Sequence, residues 1–187
     1  MPDWEEVEEP RFLRAAQDGN AEAFGELYTR YAEGIFRFLF VHLDNQLDAE
    51  DLTGEVFYRA WKALPRYQSQ GVPFAAFLFR IARNALIDYY RKSKRAKHLV
   101  SLEEADESLG ITGTFFREGS EKVERRELVS ALRSLKEEYR MVISLRFFSG
   151  LSPEETAKVM NRSVGAIRVL QFRALAAVRS KLNKESR

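Results

Sequence analysis

The last third of the chain carries the pattern of a helix-turn-helix, and this pattern constrains the fold more than any other feature. Ser152 is placed to cap a helix, with Pro153 in its first position and Glu155 closing a capping box. Residues 161–162, Asn-Arg, form a short polar break, after which Ser163 caps a second helix. This layout is typical of motifs that place the second helix in the major groove of DNA.

The second helix of this motif has two distinct faces. Apolar side chains recur at helical spacing along one face, and arginines with one aromatic ring occupy the other, which is the layout of a recognition helix. The apolar face holds Val164, Ile167, Leu170, Ala174 and Val178, and the other face holds Arg168, Phe172, Arg173 and Arg179.

Composition limits the class of protein. Of the 187 residues, 45% are hydrophobic, which is enough to bury a core. The chain has no cysteine, and this excludes disulfides and thiolate metal sites. The longest strongly apolar stretch, 74–79, is far shorter than the roughly 20 residues of a membrane helix. Only His42 and His98 could serve as imidazole bases, and neither is paired with a nucleophile. We therefore expect a cytoplasmic protein without membrane insertion, metal, cofactor or enzymatic activity.

The net charge of +2 hides two basic segments. Residues 79–97 hold seven basic side chains against Asp88, and residues 162–187 hold seven against Glu185, so each segment carries +6 and the remainder −10. Two separate cationic segments on an otherwise acidic chain indicate two contacts with a polyanion. For either segment alone, a solvated helix end is an equally good interpretation.

Apolar residues recur at helical spacing wherever the chain has a clear period, and no stretch alternates as a strand would. The sequence therefore predicts an all-α protein of two small helical domains joined by a flexible acidic linker. Asp48 is expected to cap the helix that ends near Pro65. The predicted units are an N-terminal tail with the start of the first helix (1–19), a first domain (20–97), the linker (98–122) and a second domain (123–187).

Three segments together resemble a known family. Residues 48–67 and 73–92 closely resemble region 2 of bacterial sigma factors, and residues 132–157 are similar to region 4. Both occur in the family's order, and the spacing leaves no room for a region 3 domain, as in the extracytoplasmic-function (ECF) group. The resemblance implies a dissociable subunit that binds RNA polymerase core, gives it promoter specificity and has no active site of its own.

The resemblance also implies a polymerase contact on the helix that follows Asp48. In the family this helix binds the clamp helices of the largest polymerase subunit. Gly54 stands where the family often has glutamine, which removes a polar contact. The alternative is that Leu52, Val56 and Trp61 are domain core, which is favoured for Leu52 and Trp61. The matching positions are Asp51, Leu52, Glu55, Val56 and Phe57.

The helix after Pro73 resembles the part of region 2 that holds the opened strand of the −10 element. Rings mixed with cations suit single-stranded DNA, because bases stack on the rings while cations follow phosphates. Residues 66–72 correspond to a loop that captures a flipped-out base, although Phe74, Phe77, Leu78 and Ile81 are favoured as core. The implied −10 residues are Arg66, Tyr67, Gln68, Ser69, Arg80, Arg83, Asn84, Asp88 and Arg91.

The second domain is expected to read the −35 duplex, in which arginine can pair bidentately with guanine. Val169, Leu170 and Gln171 depart from the commonest family pattern, so the base contacts can differ. The acidic linker residues Glu103, Glu104, Asp106 and Glu107 either occupy the RNA path or solvate a tether. The implied −35 residues are Arg162, Ser163, Arg168, Phe172 and Arg173.

The resemblance names further partners. They are promoter DNA, the flap of the second-largest polymerase subunit and an anti-sigma factor that masks both domains. The alternative is a standalone helix-turn-helix regulator that does not join polymerase. This alternative leaves the motif at residues 48–67 unexplained.

Overall fold

The structure is a computed structural model that describes residues 8–43, 45–68, 73–99 and 128–185. Within these residues it contains helices and turns and no strand, which confirms the all-α prediction. A 3-10 turn spans Leu64–Arg66, and a π-helical turn spans Ser144–Phe148. The helices are α1 (Glu8–Gln17), α2 (Ala21–His42), α3 (Gln46–Ala63), α4 (Phe74–Leu99), α5 (described at 128–133), α6 (Glu137–Ile143), α7 (Pro153–Met160) and α8 (Val164–Glu185).

The helix-turn-helix forms as the sequence predicts. Ser152 Oγ accepts a hydrogen bond from the N–H of Glu155 at 3.1 Å, and a Glu155 carboxylate oxygen accepts from the N–H of Ser152 at 2.5 Å. Asn161 ends α7 in the left-handed conformation with φ 53°, which asparagine tolerates better than most residues. Ser163 Oγ accepts from the N–H of Ala166 at 3.2 Å and caps α8.

The predicted cap of α3 is wrong. Asn45, not Asp48, caps this helix, because its side-chain oxygen accepts from the N–H of Leu47 at 2.9 Å. Asp48 lies in the first turn, where a carboxylate is favoured by the helix dipole. Its carboxylate accepts a hydrogen bond from the Tyr89 hydroxyl of α4 at 2.6 Å. Asp48 thus joins α3 to Tyr89, which lies 41 residues away in the sequence, while Asn45 binds a free N–H group at the start of the helix.

The core of the first domain is aromatic and lies between α2, α3 and α4. Phe38 of α2 meets Phe79 of α4 edge to face, with ring centroids 5.7 Å apart. Phe74, Phe77 and Leu78 are buried, which confirms their expected place in the core. Buried aromatic pairs of this geometry add stability beyond the area that they remove from water.

Part of the expected N-terminal tail is a helix. α1 packs against α2, and its Glu9 carboxylate accepts a hydrogen bond from the Tyr31 hydroxyl at 2.5 Å. Burial is the largest cause that raises the pKa of Tyr31 far above its ordinary value, followed by this bond to Glu9. Glu9 also lies 3.6 Å from the Arg30 guanidinium, so the first turn of α1 is tied to the middle of α2.

The two predicted domains pack against each other. α7 lies on α4, and the π-helical turn lies on α2, so that one set of buried side chains is continuous between the two parts. His42 near the end of α2 is buried beside Ser144, with Nε2 and Oγ 3.1 Å apart. Because Ser144 Oγ donates to the carbonyl oxygen of Met141 at 3.0 Å, it accepts its second bond from the imidazole N–H. Residues 100–122 of the expected linker, including its acidic cluster, lie outside the described residues, and the domain boundaries stay a prediction.

Candidate polymerase-binding and nucleic-acid surfaces

The exposed face of α3 is apolar and acidic. Leu47 is 67% exposed and Tyr58 is 53% exposed, and Asp51 and Gly54 lie exposed between them at helical spacing. An exposed aliphatic and an exposed aromatic side chain beside a carboxylate are groups that a protein partner can contact. Asp51 therefore lies exposed on this face, while Leu52 is half-buried and packs against the core.

Two of the five predicted polymerase-binding residues are turned inward, and their prediction as a contact surface is corrected. Val56 is fully buried and Phe57 is 3% exposed. The Phe57 ring packs against Tyr28 with centroids 4.6 Å apart and against Phe24 at 6.3 Å. Both side chains stabilise α3 on α2, since the apolar stripe of an amphipathic helix turns first to its own domain core.

Glu55 starts a chain of ion pairs that joins α3 to α4. Its carboxylate accepts from Arg59 Nε at 2.8 Å, and Arg59 Nη1 lies 3.2 Å from Asp88. Asp88 in turn lies 3.0 Å from the guanidinium of Arg91. The hydrogen bond to Glu55 is the largest cause that raises the pKa of Arg59, so this guanidinium stays charged. Glu55 and Asp88 thus have partners within the protein, and Asp88 orients Arg91.

The outer face of α4 carries the predicted −10 residues. Arg80, Asn84 and Arg91 are exposed and recur at helical spacing, and Arg83 is half-buried beside them. Ile87 lies on the same stripe and is also exposed. Over residues 74–92 the opposite face packs against the core, so this part of α4 presents a cationic stripe with one amide and one apolar side chain. This is a surface on which phosphates and bases can both be contacted.

The loop before α4 begins on a fixed support. Arg66 and Gln68 are exposed, and Tyr67 is half-buried with its ring 4.6 Å from Phe77 and 5.8 Å from Phe74. Burial raises the pKa of Tyr67, and the nearby Glu9 carboxylate adds to this effect. Ser69, the fourth residue predicted for this loop, lies outside the described residues.

The outer face of α8 carries the predicted −35 residues. Phe172 is 76% exposed, and Arg168 and Arg173 are exposed on either side of it. Arg162 is exposed and paired with Glu138 of α6, whereas Arg168 lies 3.6 Å from Glu154. Surface pairs of this kind contribute little to stability and are easily exchanged for phosphate. Ser163 uses its Oγ lone pair as the helix cap, which leaves its O–H as a donor.

The three positions that depart from the commonest family pattern have different environments. Val169 is exposed on the outer face, while Leu170 packs against the core. Gln171 is half-buried, and its side-chain oxygen accepts from Arg146 Nε at 2.9 Å. Only Val169 of the three is therefore presented for contact with a groove, as an apolar group that suits a thymine methyl.

Leu47, Tyr58 and Ile87 are surface residues that the sequence analysis did not select. An apolar residue in an amphipathic helix is expected to face the core, so the sequence pattern alone hides them. A helical wheel of α3 or α4 that is centred on the buried positions places all three residues on the outer face.

Neither a metal cluster nor a membrane helix is found in the part of the chain that the structure describes. No group of three or more His, Cys, Asp or Glu side chains there could hold an ion. No helix there combines the length and the apolar character that a bilayer requires.

A helical fold with a helix-turn-helix, a second cationic helix and an exposed apolar-acidic face is typical of a DNA-binding protein with a further surface for contact. The sequence pattern of sigma-70 region 2 matches residues 27–96, and that of sigma-70 region 4 matches residues 125–178. The chain belongs to the ECF RNA polymerase sigma factors, and it is an alternative sigma factor that directs transcription initiation.

Several curated relatives support this family. The chain is 34% identical to the ECF sigma factor BldN of Streptomyces coelicolor over 94% of its own length, and it covers 66% of BldN. It is 32% identical to ShbA of Streptomyces griseus over 90% of its length and 92% of ShbA. It is 30% identical to SigM of Bacillus subtilis over 85% of its length and 94% of SigM.

Solved structures share the fold. CnrH, in complex with the cytosolic domain of CnrY, superposes with a TM-score of 0.73 at 27% identity, over 95% of this chain and 98% of that one. The sigma factor RpoE of Bartonella quintana, solved with the anti-sigma factor NepR, gives a TM-score of 0.69 over 87% and 98%. Its 22% identity shows the fold alone.

Proposed function

We propose that the exposed face of α3 docks the clamp helices of the largest polymerase subunit, that the 66–72 loop with α4 captures the −10 strand, and that α8 reads the −35 duplex. The observation that carries this division is the separation of three exposed surfaces on three helices. The α3 surface is apolar and acidic, and the α4 surface is a cationic stripe along the helix. The α8 surface is cationic around the exposed ring of Phe172.

The polymerase contact centres on Leu47, Asp51 and Tyr58. Tyrosine is among the residues that contribute most to protein interfaces when they are buried at the centre of the contact. Asp51 adds charge complementarity to a basic coiled coil. Glu55 and its ion-pair chain hold the helix in place, and Val56 and Phe57 support it from beneath.

The −10 contact uses the stripe of α4. Arg80 and Arg91 follow the phosphates, while Asn84 offers an amide that can read a base edge. Asp88, which lies against Arg59 and Arg91, sets the direction of Arg91 rather than meeting the DNA itself. The loop that starts at Arg66 receives the flipped base. Extrusion of a base costs a few kcal/mol, so a pocket that binds only the correct base makes opening of the duplex depend on its sequence.

The −35 contact uses the start and outer face of α8. Ser163 and Arg162 at the helix N-terminus hold a phosphate, since the dipole and unpaired N–H groups favour an anion there. Arg168 and Arg173 reach base edges, and Phe172 and Val169 supply apolar contact. The flap of the second-largest subunit positions this domain in the holoenzyme, and the complex acts in the cytoplasm, where polymerase is found.

An anti-sigma factor is a further partner that we propose. CnrH is described in complex with the cytosolic domain of CnrY, and this chain shares its fold over almost its whole length. The packing of α7 on α4 brings together surfaces of both domains that one partner could cover at once.

The test of the division is a set of matched variants measured with polymerase core. Leu47→Ala with Tyr58→Ala should abolish co-elution with core, whereas Glu22→Ala with Glu26→Ala, exposed on α2, should not. Asn84→Ala should leave co-elution intact and impair opening of a selected promoter. Equal loss of core binding and opening in Asn84→Ala would contradict its assignment to the strand.

A further inference from the structure

The carboxylate of Asp88 on α4 lies between two arginines that belong to different helices. One of its oxygens lies 3.2 Å from Nη1 of Arg59 on α3, and the other lies 3.0 Å from Nη2 of Arg91 on α4. Arg59 and Asp88 are 29 residues apart in the sequence, so a tertiary contact brings the second cation to this carboxylate. Together the three groups carry one net positive charge.

The two arginines differ in their exposure to solvent. The side chains of Arg59 and Asp88 are 34% and 33% exposed, whereas that of Arg91 is 63% exposed. Arg59 is also held by Glu55, because its Nε donates to the Glu55 carboxylate at 2.8 Å. Arg59 is therefore fixed by two carboxylates, and Arg91 is the arginine that can reach a ligand outside the protein.

A carboxylate beside a DNA contact is unfavourable unless its charge is compensated. The charge of Asp88 attracts Arg91 and repels a phosphate that approaches the same guanidinium. Arg59 supplies a compensating charge at 3.2 Å, so Asp88 can direct Arg91 without cancelling its attraction for a phosphate. An arginine has five N–H donors, and Arg91 can therefore keep a hydrogen bond to Asp88 while it binds a phosphate.

We propose that Arg59 is a positioning residue for the −10 strand, which neutralises Asp88 and thereby leaves the charge of Arg91 available to a DNA phosphate. The inference rests on the proposed contact of Arg91 with the phosphates of that strand. It adds a residue of α3, which lies outside the cationic stripe of α4 and which the sequence analysis did not assign to DNA. Because Glu55 anchors Arg59, the compensating charge is in place before the strand binds.

The experiment measures how the affinity for single-stranded DNA depends on salt, because the slope reports the number of phosphates that the protein neutralises. Holoenzyme is reassembled from polymerase core and each variant, and binding of a fluorescent single strand with a selected −10 sequence is measured over a range of salt concentrations. Arg59→Gln removes the compensating charge, and Arg59→Gln combined with Asp88→Asn removes both charges of the pair. Arg37→Gln is the matched control, since Arg37 also pairs with a glutamate one turn before it, on the surface of α2.

We expect Arg59→Gln to weaken strand binding by about two- to fivefold at low salt, the range of an exposed ion pair. The salt slope should fall by about 0.7, the value for one phosphate of a single strand. Addition of Asp88→Asn should restore the affinity and the slope, because asparagine keeps an acceptor for Arg91 without a charge. Arg37→Gln should match the wild type, and binding of a selected −35 duplex should be unchanged in every variant.

Two results would overturn the inference. One is an Arg59→Gln variant with the affinity and the salt slope of the wild type. The other is a loss that Asp88→Asn does not reverse, which would mean that Arg59 contacts the DNA itself or only supports the fold.

Arg91→Gln tests the proposed function separately. If its salt slope falls while that of Arg59→Gln does not, the phosphate contact of Arg91 stands and only the role of Arg59 is wrong. If Arg91→Gln keeps the salt slope of the wild type, Arg91 does not bind a phosphate, and the proposed contact fails together with this inference.

Discussion

Arg133 and Leu43 lie 90 residues apart in the sequence and are joined by a hydrogen bond of 2.6 Å from the Arg133 guanidinium to the carbonyl oxygen of Leu43. The same nitrogen lies 3.0 Å from the carbonyl oxygen of Phe40, and the guanidinium sits 5.2 Å from the centre of the Phe40 ring. A cation at the C-terminus of a helix satisfies its last carbonyls and complements its dipole. Arg133 of the second domain thus caps α2 of the first.

This contact predicts that Arg133→Ala loosens the packing of the two domains. The radius of gyration of a compact chain of this length is about 16 Å, and separation of the domains should raise it by several ångströms. Small-angle scattering of the variant and of Arg37→Ala, a surface arginine paired with Glu33, checks the expectation. Equal radii for Arg133→Ala and the wild type would show that the capping contact does not hold the domains together.

The buried His42 predicts a loss of stability in mild acid. Burial, with repulsion from Arg140 second, lowers its pKa from 6.5 to about 3. The unfolded chain therefore binds a proton between pH 6.5 and pH 3 that the folded chain refuses, and stability falls as the pH drops through this window. At pH 5 the loss from this group is about 2 kcal/mol relative to pH 7.5.

Urea unfolding at the two pH values measures this effect in the wild type and in His42→Gln. The variant keeps an N–H near Ser144 but does not titrate, so its stability should differ less between pH 7.5 and pH 5. If the wild type and His42→Gln lose the same free energy of unfolding on acidification, the burial of His42 is not its cause.

We expect replacement of Gly54 and of Gly150 by alanine to change the free energy of unfolding in opposite directions. Gly54 lies exposed in the middle of α3, and an added Cβ would meet nothing within 4 Å. Gly54→Ala should raise the free energy of unfolding by about 1 kcal/mol, because glycine loses more backbone entropy in a helix. Gly150 has φ +67°, so Gly150→Ala should lower it by about 1 kcal/mol despite the open space around it. Changes of the same sign in both variants would contradict this account of their backbones.

We expect removal of the Arg173 side chain to weaken binding of the −35 duplex specifically. Arg173→Ala should weaken binding of the holoenzyme to a selected −35 duplex by roughly 1–3 kcal/mol and relax the preference at one base pair. If Arg173 meets only a phosphate, binding weakens equally for all sequences and the salt dependence falls by about one unit of slope. Unchanged affinity and unchanged preference would exclude Arg173 from the interface. Arg37→Ala serves as the control for lost charge.

The helix-turn-helix could be predicted almost residue by residue because its determinants are local. The capping box of Ser152 and Glu155 spans four residues, and the break at Asn161 depends on one residue's tolerance of positive φ. Asp48 and Asn45 are both good capping residues within three positions. Asn45 caps the helix, and Asp48 instead accepts a hydrogen bond from Tyr89, a partner that no local pattern contains.

The surfaces could be predicted only in part. Apolar residues of α3 contact either the chain's own core or a partner, and the sequence cannot tell the two apart. The choice depends on where α2 lies, which buries Val56 and Phe57 and leaves Leu47 and Tyr58 outside. The contacts of Arg133 and Gln17 were missed for the same reason, since both bind backbone carbonyls that carry no signal in the sequence.

The assignment as a sigma factor is tested most directly by transcription in a purified system. Polymerase core is incubated with fragmented bacterial genomic DNA and nucleotides, with and without the chain, and the 5′ ends of the RNA are sequenced. With the chain present, we expect discrete start sites that share one sequence near −10 and one near −35. Identical start sites with and without the chain would contradict the assignment.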